Sequence, residues 1–369
     1  MVSISFTINA NLKIIECLKV KSMKGKKIKM VKILGAGISG LSAAITLARN
    51  GLNVEIFEKS SHAGGRFTRE FQCLRNFGWT YIDPITEFKE LGISIKPIKK
   101  LTRIIRYSRS YSFEVVSDLK PIYYIVLRGK DENSIDVQLE KIALQHGIKI
   151  HYNTTIPLSK VNIVATGPSK ADFVAYGERF EDMNIDDTGY VFLDTRYSPK
   201  GYLYILPGEK KGEGEIINSS VDPTVSIQKI KLLYTRAVQE NSVLKDFVYG
   251  ATRKSIQKGI ASSTKVDDLC QQQRYYVGEA AGFQDLAAGF GIRYAILSGC
   301  LAAESILTGK PYSEQWSKTF MSQLEFERKR SQNIERLTND DLDRIFQSIN
   351  EKFGRIISLS EYESMRGVI

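Results

Sequence analysis

The stretch that decides the fold is MVKILGAGISGLSAAITLARNGLNVEIFEKSSHAGGRF, residues 30–67. Val31 to Leu34 is a short apolar run of the length of a buried parallel strand, and it leads into the turn Gly35-x-Gly37-x-x-Gly40. An apolar-periodic segment follows and predicts a helix. In such a unit the first glycine permits the turn, the second lets the backbone approach a pyrophosphate, and the third allows close helix–strand packing. The stretch therefore predicts a dinucleotide-binding strand–turn–helix unit.

The residues after this helix extend the same pattern. Val54 to Phe57 predicts a second strand, and Glu58 at its end lies 18 residues after Gly40. A carboxylate at this spacing can accept hydrogen bonds from ribose hydroxyls, while the N-terminus of the preceding helix offers N–H groups to phosphates. The candidate cofactor-binding residues of this unit are Gly35, Ala36, Gly37, Ile38, Ser39, Gly40, Glu58 and Lys59.

Three further motifs indicate which dinucleotide is bound. Gly64-Gly65-Arg66 completes an E-x5-GGR pattern that resembles FAD-dependent oxidoreductases, where the arginine contacts the phosphate region of FAD. Val161 to Pro168, VNIVATGP, resembles the third element of such domains. Residues 275–307, YYVGEAAGFQDLAAGFGIRYAILSGCLAAESIL, resemble the GDAAG segment of the p-hydroxybenzoate hydroxylase-type fold, with Glu279 in place of aspartate.

The resemblance implies one FAD site assembled from both ends of the chain. A helix that begins at Ile292 would direct its N-terminus at the flavin ring and stabilise negative charge there. The residues implied to contact FAD in these segments are Gly65, Arg66, Ala165, Thr166, Gly167, Gly278, Glu279, Gly289, Phe290, Gly291 and Ile292.

Within this fold the chain resembles the geranylgeranyl reductases. The 275–307 segment follows that family's version along its length, and Tyr123 to Gly147, YYIVLRGKDENSIDVQLEKIALQHG, resembles its strand, arginine and helix. Gly201 to Pro207, GYLYILP, resembles its G-Y-x-W-x-F-P signature in the sheet that roofs the flavin. Tyr202 and Tyr204 in this strand are candidate catalytic residues, although an aromatic ring here also fits a wall of the site.

We predict an α/β protein with a three-layer Rossmann-like FAD-binding domain, an inserted antiparallel-sheet substrate domain and a helical C-terminus. The expected segments are 30–70, 150–170 and 265–310 for the FAD domain, 71–149 and 171–264 for the substrate or cap domain, 311–369 for the C-terminal helices, and 1–29 for a basic extension or a mis-assigned start.

Composition limits the remaining classes of function. Hydrophobic residues make up 43% and charged residues 25% of the chain, as in an ordinary globular protein, and no apolar run approaches the ~20 residues of a membrane span. Four cysteines without C-x-x-C spacing and three histidines argue against a metal site and for a cytoplasmic protein. Cys73 follows the first FAD segment, but FQCLRNFG departs from the family's cysteine pattern, so a structural role is expected.

The net charge of +11 has two sources. Residues 1–29 hold seven lysines and one glutamate, a net +6, which leaves +5 for the rest. Lys96 to Arg109 carries six positive residues and no acid. This run could bind anionic phospholipid, which would bring the protein into peripheral contact with a membrane, or it could bind a substrate pyrophosphate. A solvated strand face explains the same pattern equally well. Basic and aromatic residues do not interleave as on a nucleic-acid surface, so no nucleic-acid partner is expected.

These features predict an enzyme that reduces isolated C=C bonds of prenyl chains or lipids by hydride transfer from reduced FAD. The partner is an isoprenoid or another apolar small molecule. The sequence has no second GxGxxG that would mark a nicotinamide-binding domain. The electron donor is therefore either transiently bound NAD(P)H or a ferredoxin-like protein. A flavin monooxygenase, a redox-neutral cyclase and a non-catalytic isoprenoid-binding escort on the same fold are the alternatives.

Overall fold

The computed structural model describes residues 30–79, 82–262, 274–285 and 287–365. The predicted N-terminal extension, residues 1–29, lies outside this part of the chain, as does a portion of the 265–310 segment. The strands in chain order are β1 (Val31–Leu34), β2 (Val54–Phe57), β3 (Arg69–Arg75), β4 (Lys99–Leu101), β5 (Arg103–Tyr107), β6 (Ser112–Val116), β7 (Tyr123–Gly129), β8 (Lys149–His151), β9 (Ile163–Val164), β10 (Phe173–Glu181), β11 (Gly189–Phe192), β12 (Gly201–Pro207), β13 (Gly214–Ser220), β14 (Thr252–Ala261), β15 (Tyr275–Tyr276) and β16 (Ile356–Ser358).

The helices connect and cover these strands. In chain order they are α1 (Ile38–Arg49), α2 (Pro84–Glu90), α3 (Ile135–Gln145), α4 (Ile227–Glu240), α5 (Ser242–Val248), α6 (Ile292–Thr308), α7 (Tyr312–Trp316), α8 (Ser322–Ile334), α9 (Asn339–Phe353) and α10 (Leu359–Ser364). Short 3₁₀ turns lie at Leu158–Lys160 and Gly278–Ala281, and a π-helical turn at Ser317–Met321 joins α7 to α8.

A five-stranded parallel sheet forms the first half of the fold, in the order β15-β9-β1-β2-β8. Strand β1 is central, and the side chains of Val31 and Ile33 are fully buried because helices cover the sheet. Helix α1 packs closely on α6, since a Cβ on Gly299 would lie 2.3 Å from the carbonyl oxygen of Ser39. Helices from the two distant FAD-motif segments thus pack in one layer.

An eight-stranded mixed sheet forms the second half, in the order β14-β10-β13-β12-β11-β5-β6-β16. Strand β12 alternates, with Leu203 and Ile205 in the core beneath α4 and Tyr202, Tyr204 and Leu206 on the other face. The three-stranded sheet β3-β7-β4 separates the two halves. Alternate side chains of β7 pack into the core of the parallel sheet and into the core beside the eight-stranded sheet, so both faces of the strand are buried.

The predicted fold class is confirmed, and particular elements pack outside the part of the fold expected for their segment. Helix α3 falls in the range 71–149 and yet packs on α1. Strand β8, which spans the expected boundary at residue 150, pairs in parallel with β2. The C-terminal segment, predicted to be helical, also contributes β16, which pairs with β6 of the large sheet. Strand β16 escapes prediction because a three-residue edge strand carries almost no sequence signal of its own.

Candidate cofactor and substrate site

A cavity of about 630 Å³ lies between the parallel sheet and the eight-stranded sheet. Its volume falls within the ~300–1,000 Å³ typical of ligand sites. The glycine-rich turn after β1 and the N-terminus of α6 line one part of it. The inward face of β12 forms the roof, and Arg106 and Tyr362 line the wall contributed by the large sheet and α10. One continuous space therefore joins the predicted cofactor motifs to the predicted substrate strand.

The three glycines of the turn have different reasons to be glycine. Gly35 has φ +108° and a Cβ there would lie 2.3 Å from the carbonyl oxygen of Ala165. A Cβ on Gly40 would lie 2.1 Å from the carbonyl oxygen of Gly35, so both residues are required by packing. Gly37 lines the cavity, and a Cβ there would meet no protein atom within 4 Å. The space beside Gly37 fits a ligand that approaches the backbone, as the pyrophosphate of FAD does in this motif.

Glu58 is held against the same turn. Its Oε2 accepts a hydrogen bond from the Ala36 N–H at 2.7 Å, and its Oε1 accepts one from the Ser60 N–H at 2.8 Å. The side chain is 8% exposed and lines the cavity. Because each carboxylate oxygen has two acceptor sites, both can still accept from ribose hydroxyls.

Two helices open on the cavity without side-chain caps. Gly37 is the N-cap of α1 and Gly291 is the N-cap of α6, and neither helix has a side-chain cap hydrogen bond. The first N–H groups of each helix are therefore available to a ligand, and the helix dipole favours an anionic group at that position. The residues present thus fit FAD at both its pyrophosphate and its flavin end.

Arg66 and Glu279 bring the two distant motifs into contact. The Nη1 atom of Arg66 lies 2.6 Å from Oε2 of Glu279, and both side chains line the cavity. A Cβ on Gly167 would lie 3.6 Å from the same Arg66 Nη1, so the middle segment also reaches this point. The three motif segments predicted to form one site do converge.

The loop before α6 is fixed from several sides. Oδ1 of Asp285 accepts hydrogen bonds from the N–H groups of Ala287 and Ala288 at 2.8 and 3.1 Å, while its Oδ2 lies 3.3 Å from Nη1 of Arg75. Tyr202 donates its hydroxyl to the Ala288 carbonyl at 2.5 Å. Burial raises the pKa of Asp285, and Arg75 opposes that shift. These bonds position the N-terminus of α6.

The roof presents aromatic side chains to the cavity. The rings of Tyr202 and Tyr204 are 5.7 Å apart, and Tyr204 and Leu206 are successive inward residues of β12. Burial raises the pKa of both tyrosines well above the usual value near 10. Burial thus favours the neutral phenol in both residues, which suits a wall of the site.

Two neighbouring carboxyl groups, those of Glu70 and Glu215, lie close to this roof, and Glu215 pairs across the sheet with the roof residue Leu206. Glu215 is fully buried, and its Oε2 accepts from the Phe71 N–H at 3.4 Å. Its Oε1 has no hydrogen-bond partner in the described part of the chain. Burial, followed by the neighbouring charge of Glu70, raises the pKa of Glu215 well above its usual range, and burial also raises the pKa of Glu70. Glu70 lines the cavity and accepts a hydrogen bond from Gln72 at 2.7 Å.

Most residues predicted from the sequence line this cavity. They are Gly35, Gly37, Ile38, Ser39, Glu58, Lys59, Gly65, Arg66, Ala165, Thr166, Gly167, Tyr202, Tyr204, Glu279, Gly289, Phe290, Gly291 and Ile292. Three others do not. Ala36 contributes its N–H to Glu58, Gly40 packs on Gly35, and Gly278 packs against Ser39 with φ +59°.

Other lining residues were not predicted from their sequence context. Arg128 belongs to the 123–147 segment that resembles the reductases, and it forms a bidentate pair with Asp136 at 2.8 and 3.0 Å. Tyr123 begins the same segment, whereas Arg75 and Tyr362 lack any local motif and reach the cavity only through the tertiary fold. Cys73, expected to be structural, lies in the cavity wall, where burial raises its pKa and keeps the thiol protonated.

Three of the six basic residues in the run 96–109 pair with acids from elsewhere in the chain. Lys99 pairs with Asp187, and Arg103 binds Glu114 through two bonds of 2.6 and 2.9 Å. Arg109 likewise pairs with Asp340 and Asp343. These ion pairs interrupt the basic run at three of its six positions. Among the described residues no helix is both long and apolar enough to cross a membrane.

The fold and the cavity define a Rossmann-type dinucleotide-binding protein, and the family described as NAD(P)-binding Rossmann-like domain matches residues 33–81. The chain is similar to digeranylgeranylglycerophospholipid reductase of Methanocaldococcus jannaschii, at 24% identity over 88% of this chain and 92% of that protein. An uncharacterized protein of the same organism is 25% identical over 60% of this chain, and this match spans 59% of that relative's length.

Solved structures show the same fold. A geranylgeranyl bacteriochlorophyll reductase-like protein from Thermoplasma acidophilum has a TM-score of 0.74 at 18% identity, covering 92% of this chain and 96% of that one. A flavin-dependent halogenase has a TM-score of 0.63 at 17% identity, covering 91% and 72%. The predicted resemblance to geranylgeranyl reductases is confirmed, and the chain has the fold of flavin-dependent oxidoreductases.

Proposed function

We propose that this protein is an FAD-dependent oxidoreductase that reduces isolated C=C bonds of a prenyl chain or lipid. The observation that supports this most directly is the continuity of the cavity. The ligand space beside Gly37 and Glu58 runs without interruption to the apolar roof formed by Tyr202, Tyr204 and Leu206. A cofactor held at one end would therefore meet a substrate enclosed at the other.

The cofactor end assigns roles to this chain's own residues. Gly37 leaves room for the pyrophosphate, Glu58 accepts from the adenosine ribose, and the Arg66–Glu279 pair borders the phosphate and ribityl region. The uncapped N-terminus of α6 favours negative charge on the flavin pyrimidine. Bound FAD supplies the hydride chemistry, while the protein supplies orientation and electrostatics.

The substrate end favours an apolar chain. An isolated double bond offers no polar handle, so a site that selects it depends on shape and apolar contact. Phe77, Ile104, Val191, Leu193 and the β12 face provide such contacts along the cavity. Enclosure by these side chains also excludes water from the reacting bond. The names of the reductases that share this fold agree with this substrate class.

The test uses the purified full chain loaded with FAD and reduced anaerobically with dithionite. Incubation with a geranylgeranyl lipid should oxidise the flavin and add two hydrogen atoms to the lipid for each double bond reduced, as followed by absorbance and mass spectrometry. NAD(P)H and a reduced ferredoxin replace dithionite in parallel to identify the donor. A yellow holoprotein that leaves the lipid mass unchanged under every reductant would overturn the reductase proposal.

A flavin-dependent oxygenation is the second candidate, because a flavin-dependent halogenase shares the fold over 91% of this chain. In that case NAD(P)H oxidation would consume oxygen and depend on an added aromatic or apolar acceptor. An isoprenoid-binding escort would instead purify with lipid but without flavin. Peripheral membrane contact remains a separate prediction, measured by co-sedimentation with anionic vesicles.

A further inference from the structure

We propose that Arg106, supported by Tyr362, binds an anionic oxygen group of the substrate inside the cavity. This inference rests on the proposed function and narrows it to the substrates whose apolar chain ends in a carboxylate or a phosphate. The group would lie in the wall formed by β5 and α10.

Arg106 has the geometry of an anion receptor. The residue is 8% exposed and lines the cavity. Its Nη1 donates to the hydroxyl of Tyr362 at 2.7 Å, which orients the guanidinium. Its Nε is buried and has no hydrogen-bond partner in the described ranges. The planar guanidinium therefore keeps unused donors in a rigid arrangement that matches the two oxygens of a carboxylate or phosphate.

The charge of Arg106 is also uncompensated. No carboxylate lies within ion-pair distance of it in the part of the chain that the structure describes. By contrast, the buried arginines Arg75 and Arg128 both have acidic partners, Asp285 and Glu327 for the first and Asp136 for the second. A buried cation without an acid is unfavourable unless a ligand supplies the negative charge.

The rest of strand β5 shows that this arrangement is specific to one position. The Arg103 side chain is 45% exposed and is paired with Glu114. Arg106 and Ile104 alternate to the inward face of the strand, and both line the cavity. The guanidinium carbon lies 5.4 Å from the centre of the Tyr362 ring, and that ring packs edge-on against Phe77, so an aromatic cluster borders the guanidinium. Such surroundings strengthen a charge-assisted hydrogen bond.

The experiment compares three ligands that share one geranylgeranyl chain and differ in the head group: a diphosphate, a carboxylic acid and a neutral alcohol. Binding to the FAD-loaded protein is measured by equilibrium dialysis, which does not depend on turnover. Wild-type protein should bind both anions more tightly than the alcohol. Arg106→Gln should weaken binding of the anions by roughly 10- to 100-fold and leave the alcohol nearly unchanged. Arg103→Gln is the matched control and should change none of the three affinities.

The outcomes separate this inference from the proposed function. Tight binding of the anions without reduction of any chain would overturn the reductase function and keep the anion site. Reduction of all three chains with equal affinities in wild type would overturn the anion site and keep the function. Failure of all three ligands to bind would also overturn the inference. If Arg106→Gln does not fold, the affinities of Arg106→Lys and the wild-type preference for anionic over neutral head groups test the anion site instead. A wild-type preference for only one of the two anions shows whether the natural head group is a phosphate or a carboxylate.

Discussion

Nη1 of Arg66 and Oε2 of Glu279 lie 2.6 Å apart, although 213 residues separate them in the chain. The pair connects the loop after β2 to the turn before α6 and borders the cavity where the cofactor motifs converge. Because Arg66 is 40% exposed, the ion pair adds little to folding stability, and its position matters mainly for a ligand.

We expect Arg66→Ala to weaken FAD binding by about 1.5–3 kcal/mol, the usual range for hydrogen bonds to charged groups. The free energy of unfolding of the apoprotein should change by less than about 1 kcal/mol. Flavin fluorescence titration and urea unfolding measure the two quantities. Arg253→Ala, which removes an exposed arginine paired with Glu178, is the control. Equal FAD affinities of the two variants would argue against a cofactor role for Arg66.

The glycines of the turn allow ligand binding and packing to be separated. Gly37→Ala should fold normally, since its Cβ meets no protein atom, but should lose most FAD because the side chain enters the pyrophosphate space. Gly37→Val should abolish binding. Gly40→Ala should instead destabilise the apoprotein, because its Cβ would overlap the Gly35 carbonyl. Thermal unfolding and flavin content after desalting test this. Full flavin occupancy in Gly37→Val would refute the assignment of the turn.

Tyr204 tests whether the roof acts as a wall or as an acid. We expect Tyr204→Phe to retain turnover on prenyl lipids, because the ring still fills the cavity. Tyr204→Ala should lower turnover by roughly tenfold or more through loss of substrate positioning, with FAD still bound. Turnover is followed by mass spectrometry of the lipid. A loss in Tyr204→Phe as large as in Tyr204→Ala would identify the phenol as the proton donor.

The buried carboxyl group of Glu215 predicts a pH dependence of stability. Burial and Glu70 raise its pKa in the folded protein above that in the unfolded chain. Between these two pKa values the folded state binds a proton that the unfolded state lacks, so the free energy of unfolding falls as pH rises through this window. Each unit of pKa difference is worth about 1.4 kcal/mol.

The predicted fall in the free energy of unfolding is measured by urea unfolding at about pH 5 and about pH 8, with the protein saturated with FAD at both values. Glu215→Gln stays neutral at both values and should show a smaller loss of stability at the higher pH than the wild-type protein. Glu132→Gln, at an exposed position paired with Lys141, is the control. An unchanged pH dependence in Glu215→Gln would show that the Glu215 carboxyl is not held protonated.

The sequence by itself determined the local parts of this molecule. Strand β1, the turn through Gly37, helix α1 and the acid at Glu58 follow one another within 28 residues, so hydrophobic periodicity and glycine spacing suffice to predict them. The two-residue period of a strand likewise predicts that Tyr202 and Tyr204 share one face of β12. Resemblance of the distant segment around Glu279 to a flavoprotein motif predicted that it joins the same site.

Only the tertiary structure decided which charges are paired and which face the cavity. From the sequence, Arg103 and Arg106 belong to one basic run, but Glu114 neutralises the first and the fold encloses the second beside Tyr362. The same holds for β16, a three-residue strand that gains its identity only by pairing with β6. The physical reason is that ion pairs and edge-strand hydrogen bonds depend on partners far away in the chain, whereas turns and helix periodicity depend on neighbours a few residues apart.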